Sequence, residues 1–123
     1  MSNTDKRRVL TMKVCITSKG DSPESAAENR FGRTPFFVIY DDETGKVIET
    51  INNASVNDAS GVGPKVVQML VSKGVNVVIT GQVGGNANQG LLTAGIPAYA
   101  FGEAETVAEA YAAYKAGTLT RIV

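Results

Sequence analysis

Hydrophobic positions alternate or cluster in short runs over the first half of the chain and take up a helical spacing beyond residue 60. "MKVCIT" (Met12 to Thr17), "PFFVIYD" (Pro35 to Asp41) and "KVIETI" (Lys46 to Ile51) predict strands, being short, β-branched or aromatic, and bounded by polar segments. The "DETG" turn from Asp42 to Gly45 folds the last two into a hairpin. The long polar segment "SKGDSPESAAENRFGRT" separates them from the first strand, with a helical turn expected near Glu24 to Glu28. Further on, Val66, Val67, Leu70 and Val71 recur on one helical face; Pro64 suits a first turn and Gly74 a stop, so a helix is predicted over Gly63 to Lys73. "VNVVIT" reads as a buried strand, Asn86 to Ala94 as a helix stopped by Gly95, and "IPAYAF" as a last strand. Thr106 and Glu109 form a capping box ahead of a third helix. In that helix Val107, Ala110, Tyr111 and Tyr114 make an apolar face that ends at Gly117, and the tyrosines are expected to pack on the sheet.

The order β-β-β-α-β-α-β-α predicts an α/β domain with a mixed sheet of five strands flanked by three helices. With right-handed crossovers, the first strand is central and the order is 3-2-1-4-5, which resembles the ribonuclease H-like arrangement. Residues 1–11, carrying Lys6, Arg7 and Arg8, read as a flexible arm, residues 12–119 as one domain and residues 120–123 as a tail.

In that arrangement the first and fourth strands are neighbours whose chains leave in different directions, and ligands favour such a crevice. The loop Gly81 to Asn88, "GQVGGNAN", leaves the fourth strand there and opens a helix. Bare glycines let a ligand approach the backbone, and a helix N-terminus offers unpaired N–H groups to an anion. Gly61 and Gly63 begin another helix nearby, and Lys19, Arg30 and Arg33 add positive charge. The alternative is that the glycines serve only a tight turn. Asn86 and Asn88 are either ligand-facing amides or helix caps, capping being expected of one of them. No P-loop and no complete dinucleotide fingerprint occurs, so no nucleotide is expected.

Composition narrows the chemistry. There are 123 residues with 12 basic against 12 acidic side chains, no histidine and one cysteine. An internal disulfide, a self-contained zinc site and a histidine-based triad are thereby excluded. The neutral balance argues against general binding to nucleic acid or a membrane surface. No apolar run is long enough to span a bilayer and no secretory h-region is evident, so a cytoplasmic location is expected. Cys15 lies mid-strand and is expected to be buried. Ribonuclease H-like catalysis needs clustered carboxylates for metal ions, and neither the first nor the fourth strand offers any; no enzymatic activity is expected.

The segments "RFGRTPFFVIYD", "GVGPKVVQMLVSKGVNVVITGQVGGNANQGLLTAGIPAY" and "ETVAEAYAAYKAGTL" resemble, in this order and spacing, the dinitrogenase iron-molybdenum cofactor biosynthesis family over about Met12 to Leu119. That resemblance implies a ribonuclease H-like fold and the binding or carriage of iron-sulfur or molybdenum-containing clusters during cofactor assembly. Relatives include a small orange-coloured protein that holds a molybdenum-copper sulfide cluster without cysteine ligation. Many members read His-Phe-Gly where this chain has Arg30-Phe31-Gly32, so direct ligation by that residue is lost while positive charge is kept. The expectation is therefore a carrier for an anionic metal-sulfur cluster, iron-sulfur, molybdenum-iron or molybdenum-copper, with a cofactor-assembly protein as partner. The candidate binding residues are Lys19, Arg30, Arg33, Gly84, Gly85, Asn86 and Asn88, with Cys15 the one thiolate candidate. A ligand-free protein-interaction module is the alternative. The loops Ser18 to Arg33 and Gly81 to Asn88 contain few apolar anchors and are expected to be disordered without ligand.

Overall fold

A computed structural model describes residues 12–54, 56 and 62–123. The predicted arm over residues 1–11 and Gly61 lie outside the described residues. The elements are β1 (Lys13–Ser18), β2 (Phe36–Asp41), β3 (Lys46–Asn52), α1 (Val62–Ser72), β4 (Val77–Thr80), α2 (Gly85–Ala94), β5 (Ala98–Ala100), α3 (Val107–Ala116) and β6 (Thr120–Arg121).

They form a mixed α/β domain whose sheet runs β3-β2-β1-β4-β5-β6. The expected order 3-2-1-4-5 holds, but the strand count does not. Thr120 and Arg121, read from sequence as tail, pair antiparallel with β5 as a sixth strand. The segment is too short and polar to show a strand period. Tertiary pairing makes it one, with Ile122 and Val123 N–H groups both donating to Ala98 O.

β1 is central: antiparallel to β2 on one side and parallel to β4 on the other. Its buried residues alternate between faces. Cys15 joins the core beneath α1 and α2, where Phe31, Phe37, Ile39, Val66, Leu70, Val78 and Leu91 pack. Val14 and Ile16 join the opposite core beneath α3, with Val38, Ile79, Val107 and Ala110. The connections β3-α1-β4 and β4-α2-β5 cross the sheet in the same direction, so right-handed crossovers place α1 and α2 on one face.

Helix ends follow the sequence signals closely. Thr106 Oγ1 accepts from Glu109 N–H at 3.1 Å, and Glu109 Oε1 reaches back to Glu105 N–H at 2.9 Å. Gly117 ends α3 at φ 76°, a left-handed conformation that side chains rarely adopt. Tyr111 stacks on Tyr40 with ring centroids 3.9 Å apart, and Tyr114 meets Tyr99 edge-on at 5.5 Å, the helix-to-sheet packing expected of them.

The predicted helical turn near Glu24 to Glu28 does not form. Ala26 bridges Thr106 and Ala27 bridges Ser18 in extended pairings, and Lys19 N–H donates to Ala26 O at 2.9 Å. Local helix preference gives way to these longer-range hydrogen bonds. The same bonds anchor the segment that lacked apolar anchors in sequence. Among the described residues no helix is long and apolar enough to cross a membrane.

Leu70 is fully buried between α1 and the sheet. Leu70→Ala is expected to lower unfolding free energy by about 2–5 kcal/mol, read as a shift in the urea midpoint at unchanged slope.

Candidate functional site

The carboxyl ends of β1 and β4 are closed by polar side chains in a dry setting. Thr17, Ser18, Thr34 and Thr80 are all fully buried. The Thr17 and Thr80 hydroxyls lie 2.8 Å apart, and Thr17 Oγ1 donates to Glu28 O at 2.6 Å. Thr34 Oγ1 accepts from Ser18 N–H at 2.9 Å. The Thr17 and Thr34 hydroxyls thus pair main-chain groups of Glu28 and Ser18 where β1 and its neighbours part company.

Residues 28–34 are laid across this end and fixed from several sides. Glu28 N–H donates to Thr17 O at 3.0 Å; Gln82 N–H donates to Asn29 O at 2.7 Å and Phe31 N–H to Gln82 O at 3.2 Å. Asn53, itself buried, donates through Nδ2 to Gly32 O at 3.1 Å and Thr34 O at 2.9 Å. Phe31 is 1% exposed and meets Phe37 edge-on at 6.4 Å, anchoring the loop in the core. Its neighbours Arg30 and Arg33 are thereby held at the surface.

Beside this loop lies an open cleft of about 530 Å³. One wall is the Arg30 to Arg33 loop; the others are the first turns of α1 (Val62, Gly63, Pro64) and α2 (Gly84, Gly85, Asn86, Ala87), with Gln82 between. The two helix starts touch. A methyl group added at Gly63 would come within 3.0 Å of Ala87 Cβ, so glycine is what allows the approach. Gly84 is the N-cap of α2 and no side chain caps the helix. Its first-turn N–H groups have no intrahelical acceptor, and a Cβ at Gly84 or Gly85 would meet nothing within 4 Å. Two helix N-termini therefore bring their partial positive charge to one cleft.

Of the residues singled out in sequence, Arg30, Arg33, Gly84, Gly85 and Asn86 line the cleft together. Lys19 and Asn88 do not line it. Lys19 is exposed at the end of β1, and Asn88 lies a turn into α2, its main-chain N–H bonded to Gly84 O at 2.8 Å. Neither Asn86 nor Asn88 caps α2, because glycine occupies the cap position. Cys15 is fully buried in the core under α1 and α2, and burial pushes its thiol far above the ordinary range. That surface-inaccessible thiol cannot serve as a cluster ligand without disrupting the core. Among the described residues no three His, Cys, Asp or Glu side chains gather as a metal-binding group.

Sequence reasoning missed Glu28, Phe31, Gln82 and Asn53, since each takes its importance from a partner distant in sequence or from burial. Glu28 is 5% exposed and its Oε2 accepts from Arg30 N–H at 3.0 Å and Arg30 Nε at 3.1 Å. Burial alone would raise its pKa, but those two hydrogen bonds and the charges of Arg30 and Lys19 outweigh burial and lower it. Arg33 Nη1 donates to Val56 O at 3.0 Å.

The family model described as "Dinitrogenase iron-molybdenum cofactor" matches residues 12–117. The apo form of the orange protein from Desulfovibrio gigas is 31% identical over 92% of this chain and 94% of its own, with a TM-score of 0.85. A Thermotoga protein of the DUF35 family, provisionally named a NifB protein, is 46% identical over 89% of this chain and 91% of its own, with a TM-score of 0.78. A Methanocaldococcus jannaschii protein provisionally named a dinitrogenase shares the fold at 24% identity, covering 91% of this chain and 95% of its own with a TM-score of 0.62. No curated protein matches the chain.

The lowered pKa of Glu28 makes its ion pair a source of stability that is full above the ordinary glutamate pKa and lost as pH falls through the depressed folded value. Wild type is expected to exceed Glu28→Gln by on the order of 1 kcal/mol at neutral pH, the exposure of Arg30 limiting the gain. That difference should shrink toward zero in the acid range below the ordinary glutamate pKa, as read by urea unfolding of both proteins across pH. Iodoacetamide is expected to leave Cys15 unmodified in the native protein and to alkylate it in urea, as mass spectrometry would show.

Proposed function

The chain belongs to the dinitrogenase iron-molybdenum cofactor family, and from that premise we propose that it is a small non-enzymatic carrier for an anionic metal-sulfur cluster or its precursor in metal-cofactor assembly. The observation that carries this reading is the convergence of two helix N-termini with Arg30 and Arg33 on one cleft. Main-chain N–H groups and guanidinium forks donate hydrogen bonds and supply positive potential; neither is a metal ligand. The donor set therefore suits a preassembled anion held by its outer surface.

The apolar part of the lining favours the same cargo. Phe31, Val62, Pro64 and Ala87 give the cleft hydrocarbon walls. A compact, strongly hydrated oxyanion gains little from such surfaces, whereas a large sulfide-bridged anion of low charge density is easily stripped of water. Among the described residues no lysine lines the cleft, and the basic side chains that do are Arg30 and Arg33, whose planar, weakly hydrated head groups suit a soft anion. A cofactor-assembly protein is the partner this role requires. The open side of the cleft gives cargo a route in and out.

Each charge-assisted hydrogen bond is worth about 1.5–3 kcal/mol. Losing those of Arg30 and Arg33 is therefore expected to weaken binding at least about tenfold. The experiment titrates a molybdenum-copper sulfide cluster into wild type, Cys15→Ala and Arg30→Ala/Arg33→Ala, following visible absorbance at low and high salt. Cys15→Ala is expected to bind as wild type does, the arginine variant to bind weakly, and wild-type affinity to fall as salt rises. Loss of binding in Cys15→Ala with retention in the arginine variant would reverse the assignment.

A further inference from the structure

Behind the cleft lining lies a feature that a purely attractive anion site would lack, namely a buried carboxylate beside one of its cations. Glu28 is rigid before its side chain is considered: its N–H donates to Thr17 O at 3.0 Å, and its carbonyl accepts from Thr17 Oγ1 at 2.6 Å. Its Oε2 then takes two hydrogen bonds from Arg30, one from the main chain at 3.0 Å and one from Nε at 3.1 Å. The main chain on either side of Arg30 is tied to Gln82, through Asn29 O at 2.7 Å and Phe31 N–H at 3.2 Å. The Arg30 side chain is 61% exposed, so nothing but this carboxylate confines it among the described contacts.

A negative charge next to Arg30 opposes the binding of an anion. Its compensating effect is conformational. An exposed arginine has several free rotors, and ordering such a side chain on ligand binding is costly. A carboxylate bonded to Nε occupies one corner of the guanidinium fork and leaves the terminal Nη donors to another acceptor.

We propose that Glu28 is a positioning residue of the cleft, holding Arg30 in one orientation with its Nη donors presented to the bound anion. The proposal rests on the anion-carrier reading above. Glu28 thereby trades positive potential for order, and the ordering of Arg30 is completed on folding, ahead of ligand arrival.

Charge alone and positioning make opposite forecasts. If only potential matters, Glu28→Gln and Glu28→Ala both tighten anion binding, because each removes a negative charge. If Glu28 positions Arg30, Glu28→Gln keeps an acceptor and binds at least as tightly as wild type, while Glu28→Ala weakens binding by about three- to tenfold despite its gain in net charge. Affinities would be measured with tetrathiomolybdate as probe, by calorimetry, in these proteins and in the same changes made on Arg30→Ala. Weakening by Glu28→Ala should vanish on the Arg30→Ala background; equal weakening there would show a merely structural role and overturn the proposal. Nitrogen-15 relaxation at Arg30 Nε reads the orientation without any ligand. It should report an ordered group in wild type and Glu28→Gln and a mobile one in Glu28→Ala. A mobile Nε in wild type, or tighter binding by Glu28→Ala, overturns the proposal. An ordered Nε in a wild type that does not bind tetrathiomolybdate supports the positioning and counts against the carrier reading. Should Glu28→Ala fail to fold, Glu28→Asp carries the comparison: it keeps the charge, is one methylene short of Arg30, and is expected to weaken binding.

Discussion

The structure depends on the parallel pairing of β1 with β4 at the middle of the sheet. β1 is bound on its other side to an antiparallel hairpin, so the sheet changes character across this single strand. The chain leaving β1 crosses the strand ends on its way to the hairpin, and the chain leaving β4 enters α2. Beyond the strand ends Gln82 pairs with Asn29 and Phe31, and the cleft opens beside that contact. Buried threonines and a serine close the strand ends, and residues 30–33 form one wall of the cleft. The cleft is thus a product of topology; the side chains decide only what it prefers.

That preference is built with few charges. The chain is neutral overall, with 12 basic and 12 acidic residues, and the buried Glu28 offsets part of the charge of Arg30. On the carrier reading, attraction for an anion then rests on oriented dipoles and a few fixed donors more than on net charge. Such a site discriminates by shape and by the direction of its donors, because the field decays within a turn of each helix end.

The fold was legible wherever periodicity was sustained. The alternation of Val14, Cys15 and Ile16 placed β1, the spacing of Val66, Val67 and Leu70 placed α1, and the Thr106 and Glu109 pair placed the start of α3. Thr120 and Arg121 were illegible because two residues carry no period, and Ala26 and Ala27 misled because their extended form is imposed by Ser18 and Thr106. Most of the cleft was visible as glycines and arginines flanking a switch point. Lys19 and Asn88 were drawn in by proximity in sequence, although a helix turn carries Asn88 away from the lining and Lys19 stays with β1. Glu28 was invisible for the converse reason. An acidic residue in a polar segment reads as solvated surface until burial and its neighbours are known.

The contact between Gly63 and Ala87 has a consequence for how such a cleft can change over evolution. With only a hydrogen atom at position 63, the first turns of α1 and α2 meet almost backbone to backbone, and a single added methyl group would press on Ala87 Cβ at 3.0 Å. The close approach leaves no room for added bulk at either position, because each position constrains the other. A larger residue at one calls for a smaller one at the other, so the pair is expected to vary jointly or not at all. On the proposed carrier reading, adaptation to cargo of another size falls instead to the opposite wall, where Arg30 and Arg33 ride on a loop outside both helices.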